Sequence, residues 1–187
     1  MPKVLVPLAQ GCEELEAVTV IDLLRRAKFE VVSAGLDDQP VTASRGVRLV
    51  PDVTLDEALK QEFDMVVLPG GMPGAANLNN DPRIKPLLRE MAAKGKYTAA
   101  ICAAPMVLAE AGLLSGKRAT SYPGFVDNMN LPDTTYCTDP VVRDGTAITS
   151  RGPGTAMDFA LALIEILAGK ARRDEVEAGL QRPKYGA

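Results

Sequence analysis

A short apolar run, Tyr97-Thr98-Ala99-Ala100-Ile101, stops at a cysteine, and Ala103-Ala104-Pro105 follow at once. A strand that turns sharply into a helix at Cys102, between small neighbours, would expose the thiol and aim the following N–H groups at it, the geometry of a nucleophile elbow. Such amides and a helix start favour thiolate over thiol. An unperturbed thiol, at about 8.5, is only roughly 3% ionised at neutral pH, so a drop of about two units would make it mostly thiolate. The competing reading of Cys102 is a buried structural cysteine that behaves as a small hydrophobe.

Two further groups fall where they could meet that thiol. Gly70-Gly71-Met72-Pro73-Gly74 follows the apolar run 64–69. It is neither GxGxxG nor a P-loop, because no Lys-Ser/Thr comes after it. Bare glycine amides suit an oxyanion hole, and a tight turn explains the same residues. Gly11-Cys12-Glu13-Glu14-Leu15-Glu16 opens a helical pattern. Glu13 and Glu14 complement the helix dipole. Glu16 differs, because Val20 and Leu23, its i+4 and i+7 neighbours, place it on an apolar stripe. A carboxyl buried there is pushed towards its neutral form and could donate a hydrogen bond to a thiolate.

Histidine is absent from all 187 residues, so Ser-His-Asp and Cys-His relays and HExxH zinc sites cannot exist. No residues have metal-ligand spacing, and neither a metal nor a cofactor is expected. The cysteines at 12, 102 and 137 are too scattered for a disulfide framework, which fits a reducing cytoplasm. Net charge is -3 without a basic stripe, so nucleic acid is not an expected partner. Mean hydropathy is +0.03, and no apolar run is long enough for a bilayer. A signal peptide is not expected either.

Positioning these residues falls to strands read at 3–8, 30–35, 64–69 and 97–102, with helices at 14–28, 55–60 and 81–94. The last helix would begin with Asp81 as cap and Pro82 at the first position. A small strand is expected at 47–50. Beyond the elbow come a helix at 104–111, short strands at 118–121, 135–138, 141–143 and 147–150, and an Asp144-Gly145 hairpin. An apolar helix over 156–168 and a polar one over 172–180 finish the chain. The near-continuous apolar strands suit a parallel sheet covered on both faces. The alternation implies one doubly wound α/β domain over 1–187, with ligands beyond the carboxyl ends of its strands.

The segments GCEELEAV, ASRGV, DMVVLPGGMPGA, AAICAAP and TSRGPGTAMDFALALIEIL are similar, in order and spacing, to the ThiJ/PfpI superfamily. They most resemble the branch that holds the Parkinson-disease-associated protein deglycase and its bacterial relatives. The resemblance covers nearly the whole chain. It implies a flavodoxin-like sandwich, usually a homodimer, with the family thiol at Cys102, its partner glutamate at Glu16 and oxyanion amides at Gly71 and Ala103, beside Gly70. Arg45 matches a family arginine near the dimer interface and pocket. Many relatives carry a histidine about twenty positions after the thiol; here Tyr122 stands in that segment. A protease-like relay is therefore excluded.

The implied activity is a glutathione-independent glyoxalase or deglycase acting on α-oxoaldehydes such as methylglyoxal, or on early glycated adducts. The alternative is an oxidative-stress sensor or redox-regulated chaperone that oxidises Cys102 and turns over little. Cys12 reads as a small residue filling a helix start, or as a resolving thiol for Cys102. Cys137 reads as packing.

Overall fold

The computed structural model describes residues 1–183, so residues 184–187 of the expected domain lie outside the described residues. The chain opens β1 (Lys3–Leu8), α1 (Glu14–Arg26), β2 (Glu30–Gly35), followed by the short strands β3 (Val41–Thr42), β4 (Arg48–Leu49) and β5 (Val53–Thr54). Next come α2 (Leu55–Ala58), β6 (Met65–Leu68), α3 (Gly74–Asn80), α4 (Ile84–Ala93), β7 (Tyr97–Ile101) and α5 (Pro105–Glu110). The last third holds β8 (Arg118–Ala119), β9 (Thr135–Tyr136), β10 (Val141–Asp144), β11 (Ala147–Ser150), α6 (Ala156–Ala168) and α7 (Lys170–Gly179).

A seven-stranded sheet runs in the order β10-β11-β7-β6-β1-β2-β5. It is parallel throughout except for β10, which returns antiparallel to β11 through the Asp144-Gly145 turn. Alternate residues of each central strand feed opposite cores. Val4, Val6 and Leu8 of β1 pack with Val20, Leu23 and Leu24 of α1 and Phe159 and Leu163 of α6. Leu5 faces the other way, with Leu55 of α2, Leu78 of α3, Leu88 of α4 and Leu108 of α5. Burial on both sides explains why the strands read as unbroken apolar runs. The fold is the flavodoxin-like α/β sandwich expected, with helices on both faces.

Several local expectations change. The helix expected over 81–94 is shorter and has a predecessor. Asp81 terminates α3 with its N–H on the Asn77 carbonyl, then accepts from the Arg83 N–H at 2.9 Å, and α4 begins only at Ile84. An aspartate that bonds two residues ahead makes a turn of its own before the helix. The expected strand at 47–50 is the two-residue β4, which pairs antiparallel with β3 outside the main sheet. The expected strands at 118–121 and 135–138 shrink to β8 and β9, a parallel pair also outside it. Among the described residues no helix is long and apolar enough to cross a membrane.

Helix α6 closes the face that carries α1, and Phe159 is its largest fully buried side chain. Phe159→Ala is expected to destabilise the protein by about 3–5 kcal/mol, the usual outcome of an unfilled aromatic cavity. Urea unfolding of the variant beside the wild type measures it.

Candidate active site

Strand β7 delivers its last residue into a sharp turn. Cys102 has φ +63, left-handed backbone that costs a non-glycine residue about 1–3 kcal/mol. Tertiary hydrogen bonds hold it there: its N–H donates to the Ser150 carbonyl at 3.0 Å, and its carbonyl accepts from the Tyr122 N–H at 2.8 Å. The residue is only 9% exposed.

The neighbouring strand supplies the second wall. Gly70 lies so close that a Cβ there would sit 2.6 Å from the Cys102 Cβ and 2.9 Å from the Glu16 Oε2. Only glycine fits. Gly71 has φ +84 and lies against the backbone of Cys12 and Glu13. The backbone N–H groups of Gly71 and Ala103 lie on the side of the Cys102 sulfur and favour its anion.

From α1 comes Glu16, fully buried, its Oε2 accepting from the Gly70 N–H at 2.8 Å. Its Oε1 is buried with no partner in good hydrogen-bond geometry, and the Cys102 thiol is the side chain that interacts with this carboxyl. The structure therefore brings Cys102, Glu16, Gly70, Gly71 and Ala103 together.

The electrostatics divide. Burial pushes Glu16 up to about 7, against the pull of the Gly70 amide and the thiol, and the charge on Glu13 adds to the rise. That is the direction expected for a carboxyl on an apolar stripe. Cys102 departs from expectation: burial first, then the charge of Glu16, push it up to about 12. The Gly71 and Ala103 amides pull the other way without overcoming these two. The elbow alone does not lower the thiol, because α5 is only six residues long and the sulfur is largely out of water. Two acids in contact also titrate as a pair, since an anion on one opposes an anion on the other.

Glu13 and Glu14 do more than complement the dipole. Glu13 caps α1, its Oε1 accepting from the Leu15 N–H at 3.4 Å. The Ser44 hydroxyl lies 2.8 Å from the Glu13 Oε2 and 3.2 Å from the Glu14 Oε2. Glu14 also accepts from the backbone N–H groups of Arg45 at 3.0 Å and Val47 at 3.4 Å. These bonds fasten the tip between β3 and β4 onto the start of α1, and they hold Glu14 below the usual carboxylate range even against burial. Sequence reasoning missed this clamp; the only signal was a hydroxyl beside Arg45.

Arg45 itself is exposed, and its guanidinium joins no hydrogen bond or ion pair among the described residues. Only its backbone is tied to the site. Tyr122 sits at the rim, 48% exposed, its ring edge-on to Phe125 and packed beside Gly152. Cys12 is a fully buried free thiol, pushed up to about 12 by burial and by Glu14. Cys137, read as packing, is partly buried one residue past β9, with its thiol 3.6 Å from the Thr135 carbonyl. No group of three or more Cys, Asp or Glu side chains among the described residues could hold a metal ion.

Known proteins resemble this chain along most of its length. DJ-1 homolog B of Arabidopsis thaliana is 45% identical over 98% of the chain, which spans only 40% of that longer protein. Protein dj-1beta of Drosophila melanogaster is 46% identical over 94% of this chain and 95% of its own. The crystal structure of the Drosophila protein superposes with a TM-score of 0.91 over 97% of this chain and 98% of that one, at 45% identity. A Caenorhabditis elegans protein named glutathione-independent glyoxalase DJR-1.2 is 36% identical over 89% of each chain. Since the model of the DJ-1/PfpI family also matches continuously over residues 2–166, the chain belongs to the DJ-1/PfpI family.

Proposed function

We propose that this protein is a glutathione-independent glyoxalase of deglycase type that acts on α-oxoaldehydes such as methylglyoxal. The observation that carries the reading is a fully buried Glu16 carboxyl that closes, with the left-handed Cys102, on the same Gly70, with the Gly71 and Ala103 amides near enough to favour a sulfur anion. A relative named for this activity at 36% identity supports it.

The pair holds one proton between two acidic groups once its first proton is lost. With that proton on Glu16, the sulfur is an anion facing two N–H donors and an uncharged acid. The thiolate adds to the aldehyde carbon, and the Gly71 and Ala103 amides hold the oxygen that becomes negative. Glu16 passes its proton to that oxygen and becomes the base. It then takes the hydrogen from the former aldehyde carbon and returns it to the neighbouring carbon through an enediol. The product of that step is a thioester of a 2-hydroxy acid, and water releases the acid and frees Cys102. Methylglyoxal plus water thus becomes lactate. A carboxyl at about 7 is matched to both giving and taking a proton near neutrality.

In this reading Gly70 keeps the two strands close enough for contact, and Tyr122 and Arg45 bound the entrance. The chain works without metal or cofactor as one domain over 1–187, in the cytoplasm and as a homodimer, taking small aldehydes or glycated adducts. The exposed Leu15 and Val18 of α1 and Val47 beside the clamp provide apolar surface for a second copy. It is no protease, lacking any histidine for a relay.

Lactate formed from methylglyoxal tests the reaction. Cys102→Ala is expected to abolish it, and Glu16→Gln to lower kcat about a hundred- to ten-thousand-fold, the span of a lost general acid–base. Wild-type turnover that survives loss of Cys102 overturns the mechanism. No lactate from the wild type favours the sensor instead.

Stability gives an independent check on Glu16. The Glu16–Cys102 pair holds its first proton more tightly folded, at about 7, than a free glutamate at 4.5, whichever member then carries the charge, so this contribution is complete below 4.5 and is lost as pH rises through 7. Glu16→Gln removes that loss. The variant is expected to unfold at higher urea than the wild type above neutrality, with the advantage vanishing towards pH 4.5.

A further inference from the structure

A second cleft opens at the carboxyl ends of β1 and β2, where open α/β sheets hold ligands. Its volume is about 470 Å³, within the range of small-molecule sites. Neither Cys102, Glu16 nor the glycines of the elbow line it. Gly11 packed on Pro73 stands near it, and the Asn77 Nδ2 donates to the Gln10 carbonyl at 2.8 Å along its wall.

The floor is apolar: Leu8 and Val41 are each 2% exposed, and Leu36 is partly buried. The polar rim is one-sided, because no Lys or Arg lines the cleft. Two of its polar side chains are already committed. Asp81 is neutralised by the Arg83 guanidinium at 2.6 Å, and the Gln10 carboxamide is used at both ends, on Pro40 and Thr42. What remains are acceptors. Asp37 takes a single hydrogen bond, from the Gln39 N–H, and joins no ion pair among the described residues. The Asn77 Oδ1 is open, and Asn80 makes no side-chain hydrogen bond among the described residues.

We propose that this cleft is a second ligand site, built for a small primary ammonium with an apolar stem. An ammonium has three donors and no acceptor, which matches Asp37, Asn77 and Asn80, while Leu8, Leu36 and Val41 receive the stem. A carboxylate of equal size finds no free cation there, because the Arg83 guanidinium is taken up by Asp81, Asp56 and the Leu36 carbonyl, and it meets Asp37, which has no ion pair among the described residues.

A titration of the full chain followed by ¹H–¹⁵N NMR tests this with n-butylammonium chloride, against sodium n-butyrate and sodium chloride. The butylammonium ion is expected to move the amides of Asp37, Asn77 and Asn80 saturably, and butyrate to leave them in place. Asp37→Asn weakens binding about tenfold, the effect of one charge-assisted hydrogen bond. Asn80→Lys, which supplies its own cation to the rim, abolishes it. Cys102→Ala binds like the wild type, so the result stands whether or not the elbow turns over methylglyoxal. Shifts that fail to saturate, that butyrate reproduces, or that ignore Asp37→Asn overturn the proposal.

Discussion

A carboxyl out of water beside a thiol is the constraint on which the site depends. Neither group can take its ordinary ionisation there. Glu16 is fully buried, with one oxygen on the Gly70 amide and the other without a good partner. Cys102 is nearly as enclosed, in a backbone conformation that neighbouring strands must impose. The arrangement disfavours charge on each member and most of all on both at once, so between its two titrations the pair carries a single negative charge. Such a pair can activate a nucleophile and move a proton in a chain without histidine.

The fold exists, from this viewpoint, to make three distant segments converge. Strands β6 and β7 lie side by side and end together, which puts Gly70 against Cys102. Helix α1 packs on the same face as α6 and projects Glu16 from the core towards that junction. The Glu13 N–H donates to the Gly70 carbonyl at 2.9 Å while the Gly70 N–H donates to Glu16, so one glycine is clasped by the helix from both sides. Glu14 and Ser44 then fasten the tip between β3 and β4 over the helix start.

The sandwich was legible because both-face burial leaves continuous apolar runs, clear in β1, β6 and β7. Glu16 stood out because a carboxylate on an apolar helical stripe conflicts with its surroundings. Helix α3 was hidden because Gly74 and the asparagines at its end read as turn, and two-residue strands such as β3 carry no periodicity. The Ser44 clamp joins residues about thirty positions apart, so no local pattern announces it. The burial that opposes a Cys102 anion was hidden for a related reason. Small neighbours and a helix start are visible in sequence, but the depth of a sulfur is set by what packs around it.

The central claim is that the single proton left on the pair resides on Glu16 rather than on sulfur. Thiolate ultraviolet absorbance, recorded against pH for the wild type and corrected with Cys102→Ala, reads the sulfur directly. The account predicts that one thiolate appears as the pair loses its first proton, below the ordinary thiol range. A spectrum that stays silent through neutrality, with thiolate emerging only towards about 12, would contradict it, since the carboxyl would then hold the charge and the thiol its proton.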